Sequence, residues 1–232
     1  MLRLRDIRRR FDRAAAGFDD VDFVHTVTRD GLISRLEPVQ VTGRKILDLG
    51  SATGRAGQRL RTRFRRPHVV SLDLSRAMLD AAKRKKRRLS KASFVQADAR
   101  HLPFGDAAFD LVIANQLLPW ITDVPGLFRE VARVLAEGGV FAFATLGPDS
   151  FREIDAAWAH ADVGAGFGPE GPPTGTSPPT GTSLPAGTGP FKSAHVNPVP
   201  DMHDIGDARV RAGLMDPVLD VEHLAVTYSD AA

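Results

Sequence analysis

Short apolar runs alternate with amphipathic stretches from Lys45 onward, and this alternation allows few folds. The apolar runs are Ile46–Leu49, Val69–Leu72, Phe94–Gln96, Leu111–Ala114 and Val140–Thr145. Because the runs are continuous, they are typical of strands that are covered on both faces. The helix-like stretches are Arg55–Phe64, Ser75–Arg88, Val124–Leu135 and Phe151–Trp158. The pattern predicts an α/β fold with a doubly wound, mostly parallel sheet and helices on both faces.

Local signals predict where several of these helices begin and end. Ser75 and Asp123 are expected to be N-caps, since their side-chain oxygens can accept bonds from free N–H groups of the first turn. Pro125 suits a first helical turn. The pair Gly138-Gly139 is expected to end a helix before a strand begins at Val140.

Composition divides the chain into four predicted segments. These are an N-terminal helical cap segment (1–40), a ligand-binding core (41–162), a disordered insertion (163–190) and a C-terminal part with a helix and strands (191–232). The insertion repeats Pro-Pro-Thr-Gly-Thr-Ser and cannot bury enough apolar surface to order itself. Recognition of a partner by its prolines is the alternative. In the last segment, Met202–Ala212 predicts a helix closed by Gly213, and Val218–Val221 and Leu224–Tyr228 predict strands.

Residue types exclude several classes of protein. The chain has no cysteine, which excludes disulfides, thiolate metal sites and a cysteine nucleophile and allows a cytoplasmic location. Its longest apolar stretch, Val131–Leu146, is interrupted by charges and glycines, so no membrane span is expected. The opening residues lack the apolar core of a secretory signal.

Charge is unevenly distributed along the chain. Residues 1–100 carry 25 Lys and Arg against 11 Asp and Glu, whereas residues 101–232 carry 6 against 17. A basic first half favours an anionic partner, such as an acidic carrier protein, a phosphorylated substrate or nucleic acid. The densest run, Lys83–Arg88, is interpreted as a solvated helix end, because cations suit a helix C-terminus. Nucleic acid is not favoured, since that run lacks interleaved aromatic residues.

The segment Lys45–Arg55 reads as a strand, a glycine loop and the start of a helix. Glycines at this place let the backbone approach a ligand beside a helix N-terminus. The spacing of Gly50, Gly54 and Gly57 does not match G-x-G-x-x-G, and no phosphate-binding loop follows the G-x-x-x-x-G-K-[ST] pattern. A nicotinamide dehydrogenase and an NTPase are therefore disfavoured. A tight turn without a ligand remains an alternative.

Two more acids follow the next strands. Asp73 ends the second strand, where a carboxylate can accept both hydroxyls of a ribose. Asp98 follows the third strand and could accept a hydrogen bond from the exocyclic amine of adenine. Either acid alone fits a loop or a helix cap. Together with Asp48 and the glycine loop, they predict an adenosine site outside the carboxyl ends of the strands.

These motifs resemble those of the class I S-adenosylmethionine-dependent methyltransferases, which have a Rossmann-like fold. Asp48-Leu-Gly-Ser-Ala-Thr-Gly54 is similar to their D-x-G-x-G-x-G motif, with Ala52 in place of the middle glycine, and Asp73 and Asp98 match the second and third motifs. The resemblance implies that S-adenosyl-L-methionine is the cofactor. The residues that it implies as cofactor-binding are Asp48, Gly50, Ser51, Gly54, Asp73, Leu74, Asp98, Ala99 and Asn115.

A narrower resemblance covers most of the chain. Phe11–Asp19, Asn115–Trp120, Thr145–Glu153 and His195–Tyr228 are similar to segments of the malonyl-acyl-carrier-protein O-methyltransferases of biotin synthesis. The mitochondrial complex I assembly factors, thought to hydroxylate an arginine, are also similar. Protein arginine hydroxylation or methylation, and a non-catalytic binding protein on the same fold, are the alternatives. The family continues past the position of Ala232 with a helix and a last antiparallel strand, which we expect this chain to lack.

The resemblance implies transfer of a methyl group to the free carboxylate of a malonyl thioester on an acidic acyl carrier protein. A carboxylate is already ionised at neutral pH, so no general base is required. No catalytic residue is therefore named, and His101, His160, His195 and His203 are expected to be surface, cap or packing residues. No pair has a spacing that predicts a metal site. Phe18 and Trp120 are candidates for the pocket wall, with a place in the core as the alternative for each.

Overall fold

A computed structural model describes residues 3–86, 88, 90–154, 158, 202–215, 218 and 220–224. The helices are α1 (Leu4–Ala14), α2 (Phe23–Arg35), α3 (Arg55–Arg63), α4 (Arg76–Arg84), α5 (Val124–Val134) and α6 (Met202–Arg211). The strands are β1 (Lys45–Leu49), β2 (His68–Asp73), β3 (Ala92–Gln96), β4 (Phe109–Asn115) and β5 (Leu135–Ala144). Short 3₁₀ turns occur at Phe18–Asp20 and Leu118–Trp120.

The five strands form one sheet in the order β3-β2-β1-β4-β5, and every paired strand is parallel. This arrangement confirms the predicted doubly wound α/β fold. The strand order reverses between β1 and β4. In open α/β sheets, the loops that leave neighbouring strands diverge at such a reversal and open a crevice.

Alternate residues of the central strands pack on opposite faces of the sheet. Ile46, Leu111 and Ile113 join one apolar core, which includes residues of α2 and α3. Leu47 and Val112 join a second core, which includes residues of α5 and α6. Both faces are therefore covered, which explains why the strands read as continuous apolar runs.

Two of the predicted helix starts are confirmed. The Ser75 side chain accepts a hydrogen bond from the Met78 N–H, and the Asp123 side chain accepts one from the Gly126 N–H. Each bond satisfies an N–H that the helix itself leaves free. Pro125 lies in the first turn of α5, as expected.

The predicted end of α5 at the glycine pair is wrong. The helix ends at Val134, and β5 already begins at Leu135. Gly138, with φ of +69°, lies where the pairing with β4 shifts register, between Leu135 and Val140. The glycines thus allow the register of the strand to shift. Such a shift requires a left-handed backbone conformation, which is strained for residues other than glycine.

Other predicted bounds differ as well. Helix α4 ends at Arg84 and not at Arg88, whereas β3 begins two residues before Phe94. Residues 152–154 and 158 are helical, within the predicted Phe151–Trp158. Helix α6 and the left-handed Gly213, with φ of +79°, agree with the predicted helix and its end.

The predicted strand Val218–Val221 does not form in its described residues. Asp220 and Glu222 instead form ion pairs with Arg35 of α2, at 2.6 and 3.2 Å. The segment is thus bound through side chains and not through a strand ladder. The insertion 163–190 and most of Leu224–Tyr228 lie outside the described residues, as do His160 and His195.

Among the described residues, no helix combines the length and apolar character needed to span a bilayer.

Candidate functional site

The loop after β1 reverses the chain by placing residues in left-handed backbone. Gly50 and Gly54 have φ of +72° and +78°. The N–H groups of Gly50 and Ser51 both donate to the Leu72 carbonyl, at 2.9 and 3.0 Å, which fixes the loop to the end of β2. A Cβ on Gly50 would lie 3.0 Å from Leu117 Cδ1, so a side chain there would crowd Leu117.

Ala52, the departure from the glycine-rich motif, adopts the left-handed conformation without being glycine. Its φ is +44°, which costs an alanine roughly 1 kcal/mol. Its N–H donates to Asp73 Oδ2 at 2.8 Å, and this bond helps to hold the strained backbone in place. The substitution therefore preserves the course of the loop.

Asp48 lies beneath this loop and is 3% exposed. Its Oδ2 accepts a hydrogen bond from the Gly57 N–H at 3.2 Å. Burial raises the pKa of Asp48 to about 7, and the nearby Asp73 carboxylate adds to the rise. A cation placed beside Asp48 would favour its ionised form.

Asp73 fixes two turns of backbone at the end of β2. Its Oδ2 accepts a hydrogen bond from the Ala52 N–H, as described above, and its Oδ1 accepts one from the Ser75 N–H at 2.8 Å. Burial raises the pKa of Asp73, although these bonds oppose the rise. Each carboxylate oxygen can accept two hydrogen bonds, so Asp73 keeps capacity for ligand hydroxyls.

Asp98 is paired with Arg100 through several hydrogen bonds, the shortest of 2.8 Å. Burial raises the pKa of Asp98, but its bonds to Arg100 outweigh this and lower the pKa below its usual value. The carboxylate is therefore held in one orientation as a hydrogen-bond acceptor. His101 lies beside it, with an 83% exposed side chain.

The ends of β1, β2, β3 and β4 border one cleft. Its empty volume is about 970 Å³, which includes the part that is open to solvent. Eight of the nine residues proposed from the sequence line it: Asp48, Gly50, Ser51, Asp73, Leu74, Asp98, Ala99 and Asn115. Those at the carboxyl ends of β1, β2 and β3 are called the strand wall below: Asp48, Gly50, Ser51, Asp73, Leu74, Asp98 and Ala99. The buried Ser51 hydroxyl has no hydrogen-bond partner in the described part of the chain, which leaves it free for a ligand.

Gly54 is the proposed residue that does not line the cleft. It precedes α3, and a Cβ there would lie 2.9 Å from Ala82 Cβ of α4. Its role in the structure is to let the loop pass close to α4.

Asn115 lines the cleft, but its amide is already used. Its Oδ1 accepts a hydrogen bond from the Thr28 hydroxyl at 2.9 Å, and its Nδ2 donates to the His25 carbonyl at 2.9 Å. Both partners belong to α2. The Asn115 side chain therefore fixes α2 against β4. It borders the cleft, but its amide atoms are bonded to α2.

The opposite side of the cleft is formed by the N-terminal segment. Its lining residues are Leu4, Ile7, Phe11, Phe18, Asp22, His25 and Arg29, called the N-terminal wall below. Phe11 packs edge-on against Trp120, with ring centroids 4.9 Å apart, and Phe18 packs similarly against His25 at 5.2 Å. Phe18 and Trp120 thus line the cleft, as the sequence suggested. Burial lowers the pKa of His25, which is therefore neutral at pH 7.

Sequence reasoning missed most of the N-terminal wall. Leu4, Ile7 and Phe11 recur at the spacing of one helix face, and this signal could have identified α1 as a lining helix. Arg29 carried no such signal. Its side chain is 7% exposed and lies 3.6 Å from Asp22, so a guanidinium–carboxylate pair lines the cleft.

An ionic cluster around Asp19 joins this segment to the loop after β1, to the start of α3 and to the end of α4. Asp19 accepts a hydrogen bond from the Thr53 hydroxyl at 2.5 Å, pairs with Arg55 at 3.0 Å and contacts the Lys85 ammonium. Burial raises the pKa of Asp19, but these bonds outweigh it and lower the pKa to about 2. Nearby, Asp12 of α1 accepts a hydrogen bond from the Ser75 hydroxyl at 2.6 Å.

Comparison with known proteins agrees with this geometry. The methyltransferase domain family matches residues 47–143, which contain the strand wall. The chain is 37% identical over 225 residues to the malonyl-[acyl-carrier protein] O-methyltransferase of Halorhodospira halophila, covering 97% of this chain and 66% of that protein. It is 34% identical over 223 residues to the enzyme of that name from Legionella pneumophila, covering 96% and 68%.

The chain belongs to the malonyl-[acyl-carrier protein] O-methyltransferase family. It spans about two thirds of the length of these relatives. Among solved structures, it resembles one chain of the complex between the Haloferax volcanii Trm112 methyltransferase activator and a methyltransferase. The TM-score is 0.58 at 25% identity, with 69% of this chain and 73% of that chain covered.

The cofactor of this methyltransferase family member is S-adenosylmethionine, and the cleft fits it. Three carboxylates of the strand wall offer acceptors for an adenosine and a cationic group, and the Ser51 hydroxyl is free. Within the described residues, no cluster of three His, Cys, Asp or Glu could hold a metal.

Proposed function

We propose that this methyltransferase esterifies the free carboxylate of malonyl-acyl-carrier protein, a step of biotin precursor synthesis. The observation that carries the proposal is that Asp48, Asp73 and Asp98, at the carboxyl ends of β1, β2 and β3, line one cleft. The names of the curated relatives supply the acceptor. The proposal includes a cytoplasmic location, which the absence of cysteine allows.

Different residues of the strand wall are assigned to different parts of the cofactor. We assign Asp73 to the ribose hydroxyls, Asp98 and Ala99 to the adenine, and Asp48 with Gly50 to the methionine part. The pKa of Asp98 is below its usual value, so that carboxylate is ionised at neutral pH and accepts hydrogen bonds only. Ser51 and Leu74 complete the set through a free hydroxyl and an apolar contact surface.

The reaction needs no general base from the protein, because the acceptor carboxylate is already ionised. When bound along the strand wall, S-adenosylmethionine would supply the methyl group from its sulfonium, and its sulfur would keep the electron pair of the broken carbon–sulfur bond. His25, the histidine of the N-terminal wall, is neutral, so a positive charge on it does not contribute. The protein acts by orientation, which can supply about 7–11 kcal/mol.

Apolar side chains of both sides exclude water from the reacting groups. Phe11 and Trp120 pack edge-on against each other at the cleft, and Ile7 is buried beside them. A dry site strengthens the interactions of the sulfonium charge with the carboxylates. We propose that residues 1–40 act as the cap of the cleft in this way.

Cations on α1 and α4 offer a docking surface for the acidic carrier protein. The two helices pack against each other beside the cleft. Their exposed cations with no ion pair among the described residues include Arg8, Arg9, Arg10, Arg13 and Arg84. Complementary charge of this kind speeds association and is weakened by salt.

The proposal is tested by incubating the protein with malonyl carrier protein and S-adenosylmethionine, followed by intact-mass spectrometry. We expect a gain of one methyl group, whereas acetyl carrier protein, which has no free carboxylate, gains none. An unchanged malonyl carrier protein would contradict the proposal. Addition of one oxygen to an arginine peptide would support the arginine-hydroxylase alternative instead.

A further inference from the structure

Gln116 is a buried amide that the fold leaves unused. It follows β4, is 6% exposed and lines the cleft. Neither its Nε2 nor its Oε1 has a hydrogen-bond partner within the described residues. Burying polar atoms without partners destabilises a protein, so such a group calls for a reason outside the fold.

The backbone at Gln116 is also strained. Its φ is +57°, a left-handed conformation that glutamine rarely adopts. Its N–H donates to the Ala144 carbonyl of β5 at 2.8 Å, which holds the residue in this conformation. Strain of this kind persists where the surrounding structure imposes it, and it is concentrated at functional sites.

The preceding residue shows that an amide side chain in this region can find hydrogen-bond partners within the fold. Asn115 uses both its oxygen and its nitrogen to fix α2, at 2.9 Å each. Two adjacent amides at the end of β4 therefore differ in use. Asn115 is part of the fold, whereas Gln116 is directed at the cleft with a free donor and a free acceptor.

The position of Gln116 separates it from the strand wall assigned to the cofactor. It lies at the end of β4, beside Leu117 and near Trp120, which contacts Phe11 of α1. Leu117 and Phe11 have no donor, Trp120 has only its indole N–H, and the Arg29 guanidinium of the N-terminal wall is paired with Asp22. A carboxylate entering this side of the cleft needs a hydrogen-bond donor there, since an unpaired buried charge is costly.

We propose that Gln116 is the acceptor-binding residue, and that its Nε2 donates a hydrogen bond to the malonyl carboxylate. This inference rests on the proposed function. A neutral amide suits the task because it fixes one oxygen of the carboxylate without neutralising its charge, so the other oxygen stays nucleophilic. The free Oε1 is then available to an N–H of the ligand.

The test compares Gln116→Met with wild type and with Ser51→Ala as a matched control. Methionine has nearly the same size but no amide, so it removes the donor without opening a cavity. We expect kcat/KM for malonyl carrier protein to fall about 30- to 100-fold. The affinity for S-adenosylhomocysteine should stay within twofold, and the melting temperature should stay equal or rise. Ser51→Ala should instead weaken S-adenosylhomocysteine binding, which distinguishes a cofactor contact from an acceptor contact.

Gln116→Glu provides a second variant, because it replaces the donor with a carboxylate that repels the substrate. Its kcat/KM should fall further than that of Gln116→Met. The inference is overturned if Gln116→Met keeps kcat/KM within twofold, or if its S-adenosylhomocysteine affinity falls tenfold with an unchanged KM for malonyl carrier protein. Failure of wild type to methylate malonyl carrier protein would instead refute the proposed function.

Discussion

The two sides of the cleft are built in different ways. The strand wall is held mainly by backbone: the N–H groups of Gly50 and Ser51 bond to the Leu72 carbonyl, and only the Ala52 N–H uses a side chain, the Asp73 carboxylate. The N-terminal wall is held by side chains, as in the contacts of Asp12 with Ser75 and of Asp19 with Thr53. Backbone bonds depend little on residue type, whereas side-chain bonds depend on every partner. We therefore expect the strand wall to be the rigid half of the site and the N-terminal wall the half that opens.

Titration of Asp48 is expected to have the largest effect on the strand wall. Its pKa of about 7 means that the free protein must lose a proton there before a cationic group binds well. The affinity for S-adenosylhomocysteine, which carries an ammonium group, should fall about 50- to 100-fold from pH 7.5 to pH 5, or about 2.5 kcal/mol. Calorimetry over this pH range measures it. Asp48→Asn should bind more weakly at pH 7.5 and show a flat profile; an equally steep profile in this variant would assign the titration to another group.

Gly54→Ala should destabilise the protein by about 2 kcal/mol, through the loop that carries Gly50 and Ser51 of the strand wall. The alanine would have to adopt φ of +78°, and its Cβ would lie 2.9 Å from Ala82 Cβ. Urea denaturation measures the change. Gly105→Ala is the control, since a Cβ there meets nothing within 4 Å and φ is not positive. Equal losses in the two variants would show that the close approach to α4 is unimportant.

Asp19→Asn tests the N-terminal wall and should cost about 1 kcal/mol at pH 7, because the ionic cluster is partly exposed. The pKa of Asp19 is lowered to about 2, so its contribution is complete above pH 4 and disappears as the pH falls towards 2. The difference in free energy of unfolding between variant and wild type should shrink over that range. A difference that is constant from pH 5 to pH 2.5 would contradict this. Hydrogen exchange should increase in residues 4–20 and not in β1.

Ala52→Gly should give the smallest effect, a gain of about 0.5–1 kcal/mol. Glycine adopts φ of +44° without strain, although it also increases the entropy of the unfolded chain. Denaturation in urea would detect the gain. A loss of stability would mean that the alanine methyl group makes contacts worth more than the strain.

The strand wall could be predicted from sequence because its determinants are local. Asp48, Asp73 and Asp98 each follow an apolar run, and parallel strands bring their carboxyl ends to one edge of the sheet. The helix starts at Ser75 and Asp123 were predicted for the same reason.

The N-terminal wall depends on contacts between distant residues, which periodicity does not reveal. Arg29 and Asp22 line the cleft because α2 packs on the sheet, through an apolar core and through its bonds to Asn115, far along the chain. The roles of Asn115 and Gln116 were likewise hidden, since two adjacent amides look alike in the sequence. The glycine pair in β5 misled because glycine marks both helix ends and irregular strands.

The central claim is that the strand wall holds one adenosine. A crystal structure with S-adenosylhomocysteine tests it most directly. We predict that Asp73 accepts hydrogen bonds from the ribose hydroxyls and that the adenine lies beside Asp98 and Ala99. A nucleoside bound elsewhere, or a ribose without contact to Asp73 at full occupancy, would contradict the account.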